Sequence, residues 1–301
     1  MPTFERIVVF GVGLIGGSFA LALKQAGVVK RVIGVGRRAE TLQRAHALGM
    51  IDAIGDPSSV AGADLVLIAA PVAQTETLLR EMQPHLQDGT VVTDAGGTKS
   101  DVVGAARVAL GEKIAQFVPG HPIAGREQNG PEAALADLYR GKKVVLTALP
   151  ENSSDSIALV AGAWQHCGAL IHYLSPEEHD AVFAAVSHLP HLLAYALVGD
   201  IASRDNADRL FQYAASGFRD FTRIAGSSPE MWRDISLANR QALLAELDAY
   251  TEQLSSLRAM LLSADGAALE HVYARAQSAR QSWIAAIEAA EQMRVDEQGG
   301  D

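Results

Sequence analysis

A single cysteine, Cys167, in 301 residues excludes an internal disulfide and fits a reducing compartment, so a cytoplasmic location is expected. Positive charge is scarce. Lys and Arg number 25 against 35 Asp and Glu, and the net charge of −10 repels phosphate backbones and anionic lipid, so neither nucleic acid nor a membrane is an expected partner. The uncharged run Ile7–Leu23 lies where a signal peptide or anchor would sit, but Gly11, Gly13, Gly16 and Gly17 would each cost a continuous helix about 1 kcal/mol. The run also falls short of the roughly 20 residues that span a bilayer. Only Arg6, opposed by Glu5, precedes it, so a positive n-region is missing and no targeting segment is expected. At 49% hydrophobic and 20% charged, the chain has ordinary globular composition, which excludes disordered, collagen-like and coiled-coil classes. Its length suits two domains of roughly 100–200 residues each.

From Arg6 to about Tyr173, short apolar runs alternate with amphipathic stretches. Ile7–Phe10, Val32–Val35, Leu65–Ala69, Val91–Thr93, Phe117–Val118, Val144–Ala148 and Ala169–Leu174 are Val- and Ile-rich, as strands buried on both faces should be. Helical spacing between them gives the βαβ rhythm of a mostly parallel, doubly wound sheet. After Ser175-Pro176 the strands stop, and helical periodicity runs to about Met293 with breaks at Ser203–Asp208, at Gly226–Pro229 and at Ser263–Gly266. Ser228 and Pro229 are read as the cap and first residue of a long helix. Leu243, Leu247, Tyr250, Leu254, Leu257 and Leu261 form an apolar stripe whose cover is either a partner subunit or the rest of the domain.

Gly11-Val12-Gly13-Leu14-Ile15-Gly16 follows the first strand directly and opens a helix. In that setting the glycines serve a tight turn, close approach of backbone to a pyrophosphate, and helix-on-strand packing. The expected fold is therefore α/β, an N-terminal Rossmann-type dinucleotide-binding domain over residues 1–174 followed by an all-α C-terminal domain over residues 175–301. The residue that chooses the cofactor lies about 20 positions beyond the last glycine of the loop. It is Gly36, followed by Arg37 and Arg38. A carboxylate there would hold the ribose 2′-hydroxyl of NAD and repel a 2′-phosphate, which arginine attracts, so NADP is expected over NAD. The bland reading of Arg37 and Arg38 is a solvated turn.

Polar residues that packing does not require stand in Val118-Pro-Gly-His-Pro-Ile-Ala-Gly-Arg-Glu127, in Val186-Ser-His-Leu-Pro-His191, and in Gly217-Phe-Arg-Asp-Phe-Thr-Arg223 with Met231-Trp-Arg-Asp234. With the glycine loop, and in this order, they resemble the prephenate/arogenate dehydrogenase family of tyrosine biosynthesis over nearly the whole chain. The resemblance implies oxidative decarboxylation of a cyclohexadienyl substrate, in which the C4 hydroxyl loses its proton, hydride leaves C4 for the nicotinamide, and carbon dioxide departs as the ring becomes aromatic. It implies His121 as the acceptor of the hydroxyl proton and His188 in the substrate pocket. Arg223 would grip a substrate carboxylate, with Arg219 and Trp232 as further pocket residues. Glu127 would pair with the amine of arogenate. A homodimer through the helical domain is expected from the apolar stripes and the resemblance together.

The chain departs from the family where relatives tend to carry serine in an Asp-x-Gly-Ser segment, since Asp94-Ala-Gly-Gly97 ends in glycine and Thr98 follows. Either Thr98 supplies the hydroxyl or backbone or water does. His46, His85, His166, His172, His179 and His271 are read as ordinary surface or core histidines, and His188 with His191 lacks a third ligand of suitable spacing, so no metal is expected. With the first strand starting at about Ile7 and the last helix ending near Met293, none of the fused mutase or regulatory domains that some relatives carry is expected. Other classes fit the architecture less fully. An NADP-dependent hydroxyacid dehydrogenase or imine reductase leaves the histidine motifs unexplained, and a non-catalytic NADP sensor predicts binding without turnover.

Overall fold

The computed structural model describes residues 3–126 and 128–298, with side chains up to residue 289. Strand β1 (Phe4–Phe10) leads into helix α1 (Leu14–Gln25), and β2 (Val29–Val35) into α2 (Ala39–Ala47). There follow β3 (Ala53–Ile54), β4 (Leu65–Ile68), α3 (Thr75–Met82), β5 (Val91–Asp94), α4 (Ser100–Leu110) and β6 (Phe117–Val118). These strands form one six-stranded parallel sheet in the order β3-β2-β1-β4-β5-β6, the doubly wound arrangement the apolar runs predict. The runs are continuous because both faces are covered. Ile7, Val9, Leu65 and Leu67 pack with Phe19, Leu23 and Trp164 on one face, while Val8, Phe10, Val66 and Ile68 pack with Leu79, Met82 and Val102 on the other. Each such side chain contributes about 1.5–3 kcal/mol by leaving water. Two-residue β3 is absent from the sequence expectation because no alternation or run can show in two residues.

The later strands depart from a single sheet. β7 (Gly120–Pro122), β8 (Lys143–Leu146) and β9 (Leu170–Tyr173) form a separate three-stranded sheet, with β7 antiparallel and β9 parallel to β8. His121 thus sits in a strand, paired with Val145, and not in the loop that its Gly and Pro neighbours predict. Pro122 is tolerated because β7 is an edge strand. Helix α5 (Ser154–His166), whose Ser153 cap accepts from the Ser156 amide, carries Trp164 onto Phe19 and Tyr139 at ring distances of 4.6 and 5.0 Å.

The remaining elements are helical. Ser175 opens α6 (Pro176–Phe183) with a reciprocal capping box. One π turn, Ala184–His188, joins α6 to α7 (Leu189–Ala202), and the missing amide hydrogen of Pro190 accounts for a loosened ladder there. Together they form a 27-residue helix, Pro176–Ala202, long and apolar enough by composition to cross a membrane, and its His179, Asp180 and His188 are buried. Short helices α8 (Ala207–Gln212) and α9 (Ser216–Thr222) precede α10 (Pro229–Ala238), which Ser228 caps as predicted. The expected long helix breaks at Asn239 before α11 (Arg240–Leu262), and α12 (Gly266–Gln298) follows.

Met1–Leu244 form one compact unit and Ala245–Asp301 a second. In the second, the described side chains are all exposed or half-buried, with Leu254, Leu261, Tyr273 and Trp283 among the exposed ones. Of the predicted stripe, Leu243 is buried in the first unit, whereas Leu254 and Leu261 are open to solvent.

Candidate active site

At the carboxyl ends of β1, β2 and β4 lies a cleft of about 340 Å³, lined by Gly11, Val12, Gly13, Gly36, Arg37 and Arg38 among others. Gly11 has φ +87°, and a Cβ there would stand 2.5 Å from the Ala69 carbonyl oxygen. A Cβ on Gly16 would meet the Gly11 carbonyl at 2.2 Å and Val9 at 2.8 Å, so α1 approaches β1 as closely as it does only through that glycine. At Gly13, the N-cap of α1, a Cβ would meet nothing within 4 Å, and no side chain caps the helix. The amides of Leu14, Ile15 and Gly16 belong to the uncapped first turn, where an anion is favoured. Leu14 and Gly16 are themselves buried, so their contribution to a ligand is through backbone. Gly36, Arg37 and Arg38 are exposed at the end of β2. These features fit a dinucleotide: a bare loop, an uncapped helix start and, beyond β2, cations in place of a carboxylate.

A second constellation is built around His121. Its Nδ1 lies 2.8 Å from Nε2 of His179, whose Nδ1 lies 2.9 Å from Oδ1 of Asp180. Burial alone would raise the Asp180 pKa, but hydrogen bonds from His179, Ser100 and the Lys99 amide bring it down to about 2. An ionised carboxylate only accepts, so His179 carries its proton on Nδ1 and accepts at Nε2. His121 must then donate from Nδ1, which leaves the lone pair on its Nε2. That nitrogen faces Gly97, standing 4.0 Å from where a Cβ on that glycine would be. Burial, followed by the charges of His179, Lys99 and His188, pushes the His121 pKa well below 6.5, so the ring is a neutral base.

Asn239 explains the break between α10 and α11. Its Nδ2 donates to the Asp180 backbone carbonyl at 2.8 Å and to His188 Nδ1 at 3.1 Å. His188 is 2% exposed, keeps its proton on Nε2, and bonds the Gly97 backbone; burial drops its pKa to about 4. The structure therefore turns His188 inward as a bracket between α10 and the Gly97 turn, not outward to a ligand. It is half-buried His191 that stacks on Trp232, with ring centroids 3.5 Å apart, and that feels the charge of Arg223. His191 donates from Nδ1 to the Ser187 carbonyl, one of the groups at the π turn. Trp232 is buried, and its indole N–H finds no acceptor among the described residues.

The other predicted residues divide. Arg223, Trp232 and His121 lie in the same compact unit, with Arg223 close enough to His191 to depress its pKa. Arg219 is open to solvent and 3.8 Å from Asp220. Thr98 is wholly buried beside Asp101, and its carbonyl accepts from Lys99 Nζ. The residue that faces His121 Nε2 is Gly97, and of the two expected sources of the hydrogen bond, Thr98 or backbone and water, the buried Thr98 hydroxyl has no hydrogen-bond partner among the described residues. Glu127 lies outside the described residues. Sequence reasoning missed Asp94, Lys99, His179, Asp180 and Asn239. His179 reads as an ordinary surface or core histidine, and Asp180 follows the acidic pair Glu177 and Glu178 at a capped helix start, whereas Asn239, a poor helix former between two helical runs, carries the signal that could have marked a break there.

Two family models match the chain: the nucleotide-binding domain of prephenate dehydrogenase over residues 19–173 and the dimerization domain of prephenate dehydrogenase over residues 175–275. A cyclohexadienyl dehydrogenase of Zymomonas mobilis is 37% identical over 285 residues, spanning 93% of this chain and 96% of that protein. A prephenate dehydrogenase of Bacillus subtilis is 36% identical over 280 residues, spanning 92% of this chain and 75% of that protein. The crystal structure of prephenate dehydrogenase from A. aeolicus in complex with hydroxyphenyl propionate and NAD+ matches with a TM-score of 0.83 at 36% identity, covering 89% of this chain and 94% of that one. Synechocystis arogenate dehydrogenase matches with a TM-score of 0.78 at 28% identity, covering 93% of this chain and all of that one (100%).

His121, His179 and His188 all have folded pKa values below their ordinary value, so the unfolded chain binds protons that the folded one refuses. Stability is therefore expected to be full above pH 6.5 and to fall as the pH drops toward 4. Denaturant unfolding across that range should show a shallower fall in His188→Gln than in the parent.

Proposed function

Because the chain belongs to the prephenate dehydrogenase family, we propose that it catalyses the oxidative decarboxylation of prephenate, arogenate or both, giving 4-hydroxyphenylpyruvate or tyrosine, with NADP preferred over NAD. The observation that carries the reading is the orientation of His121. A neutral imidazole, its Nδ1 proton committed to His179, presents Nε2 to the space beside Gly97. A dinucleotide held by the glycine loop, with Gly36, Arg37 and Arg38 at its ribose end, would supply a nicotinamide as the acceptor for the hydride that leaves C4. His121 takes the C4 hydroxyl proton at Nε2. As the ring becomes cationic its Nδ1–H bond to His179 strengthens, and Asp180, fixed 2.9 Å from His179, stabilises the charge from behind. Arg223 offers a planar fork to a substrate carboxylate beside His191, and the buried Trp232 N–H offers a further donor. Aromatisation of the product makes the step effectively one-way.

The same reading divides the chain functionally at residues 174 and 175, into a cofactor half and a substrate and dimer half, and places the enzyme in the cytoplasm as a homodimer. Exposed Leu254, Leu261, Tyr273 and Trp283 on the last two helices support an apolar interface, and so does the description of the second family domain as a dimerization domain.

Activity with both substrates on one preparation tests the assignment. His121→Asn should lower kcat by roughly 10²- to 10⁴-fold with cofactor binding retained, whereas Arg223→Ala should raise KM; a parent-like kcat in His121→Asn overturns the base assignment. A Gly36→Asp, Arg37→Ala double variant should lose on the order of tenfold to a hundredfold in NADP affinity and gain use of NAD, as read from initial rates with each cofactor. A Cβ at position 36 would be 3.5 Å from Leu42, ordinary contact, so the backbone there accepts a side chain. Light scattering at micromolar concentration should give twice the mass of one chain, and an active monomer would refute the dimer.

A further inference from the structure

Lys99 is a lysine with 0% exposure, and its buried partner Asp94 is at 1%. Burying such a pair is costly in free energy, and packing alone does not require it. Its connections run in two directions. Lys99 Nζ donates to Asp94 Oδ2 at 2.6 Å, and Asp94 Oδ1 accepts from the Gly120 amide at 3.0 Å, one residue before His121. The Lys99 backbone amide donates to Asp180 Oδ1 at 2.8 Å, the oxygen that also bonds His179. Followed from atom to atom, His121, His179, Asp180, Lys99, Asp94 and Gly120 form a closed ring of hydrogen bonds, completed by the Gly120–His121 peptide link.

Resting on the assignment of His121 as the base, we infer that Lys99 is a positioning residue for that base: it joins both ends of the ring that orients the imidazole and holds a fixed positive charge beside it. The charged and titratable groups around His121 are His179 and Asp180 on α6, His188 in the π turn, Asp94 at the end of β5 and Lys99 itself; Asp101, at the start of α4, lies beside Thr98 and near Asp180. Among them Lys99 is a cation that does not depend on a histidine proton, and it disfavours protonation of both His121 and His179. The Asp94 charge acts in the opposite direction on His179. A purely structural ion pair would behave alike whichever partner is removed. A pair that sets the charge state of the base would not.

The test is the pH profile of kcat/KM, with NADP and prephenate, in the full-length parent, Lys99→Met and Asp94→Asn. Lys99→Met should move the acidic limb upward by about one pH unit, because the base gains protons more readily without the cation, and should lower kcat at pH 8 about tenfold to a hundredfold. Asp94→Asn keeps the cation, and its acidic limb should stay at or below that of the parent. Limbs that move upward in both variants, or in neither, overturn the inference. If Lys99→Met does not fold, Lys99→Gln, which keeps a donor for Asp94, takes its place. Should neither fold, Asp94→Asn decides alone, an upward limb overturning the inference and an unmoved or lowered one upholding it. A parent-like His121→Asn would remove the base assignment and this inference together. A slow His121→Asn combined with parallel shifts in the two ion-pair variants would remove this inference alone.

Discussion

The chemistry of this chain depends on a carboxylate that stays ionised in a nearly dry place. Asp180 is buried, yet three hydrogen bonds from the Lys99 and Ser100 amides and from His179 hold it as an anion. Were it protonated, it could donate to His179, the histidine tautomers could reverse, and the lone pair of His121 could turn away from the space beside Gly97. The donors that prevent this come from the first turn of α4, whose orphan amides need acceptors in any case. One helix start thus satisfies its own backbone and fixes the protonation state of two rings.

Position then follows from the order of strands. β5 ends at Asp94, and the turn after it carries Gly96, Gly97 and Thr98 before α4 begins. The β7 edge strand begins at Gly120, whose amide the Asp94 carboxylate binds, so the turn and the histidine strand are tied together by one side chain. The cleft lined by the glycine loop opens at the same carboxyl edge, where doubly wound sheets bind their ligands. A base on a strand, held by a carboxylate rooted in the adjacent sheet, is placed more firmly than a base on a loop.

What was legible in the sequence was what repeats or stands out of context. Buried strands showed as unbroken Val and Ile runs, the glycine loop showed by its place between strand and helix, and His121 and Arg223 stood out because packing had no need of them. What stayed hidden was short or disguised. β7 has three residues, of which one is glycine and one proline, and both read as loop. His179 and Asp180 follow Glu177 and Glu178 in a capped first turn, a pattern shared by countless solvated helix starts. Their partners are distant in sequence, so only the fold could show that the pair points inward. His188 is expected in the substrate pocket, whereas the fold bonds it to Asn239 and the Gly97 backbone and leaves His191 stacked on Trp232, next to a π turn that the sequence does not announce. Periodicity of 3.6 does not register a single turn of a different pitch.

The buried histidines also explain why such a site is retained against its effect on stability. A folded chain that refuses protons at three imidazoles becomes less stable in acid than one carrying apolar residues at the same positions. Apolar burial around His121, by Phe183 at 4.9 Å and by Ile235 near Gly97, together with the charges of His179, Lys99 and His188, keeps the imidazole neutral although Asp180 lies one histidine away. The two sheet faces, with their continuous Val, Leu and Ile packing, supply the stability that this arrangement withholds. A buried lysine, two buried carboxylates and two buried histidines thus stand in a region that the hydrophobic effect alone would have filled with leucine.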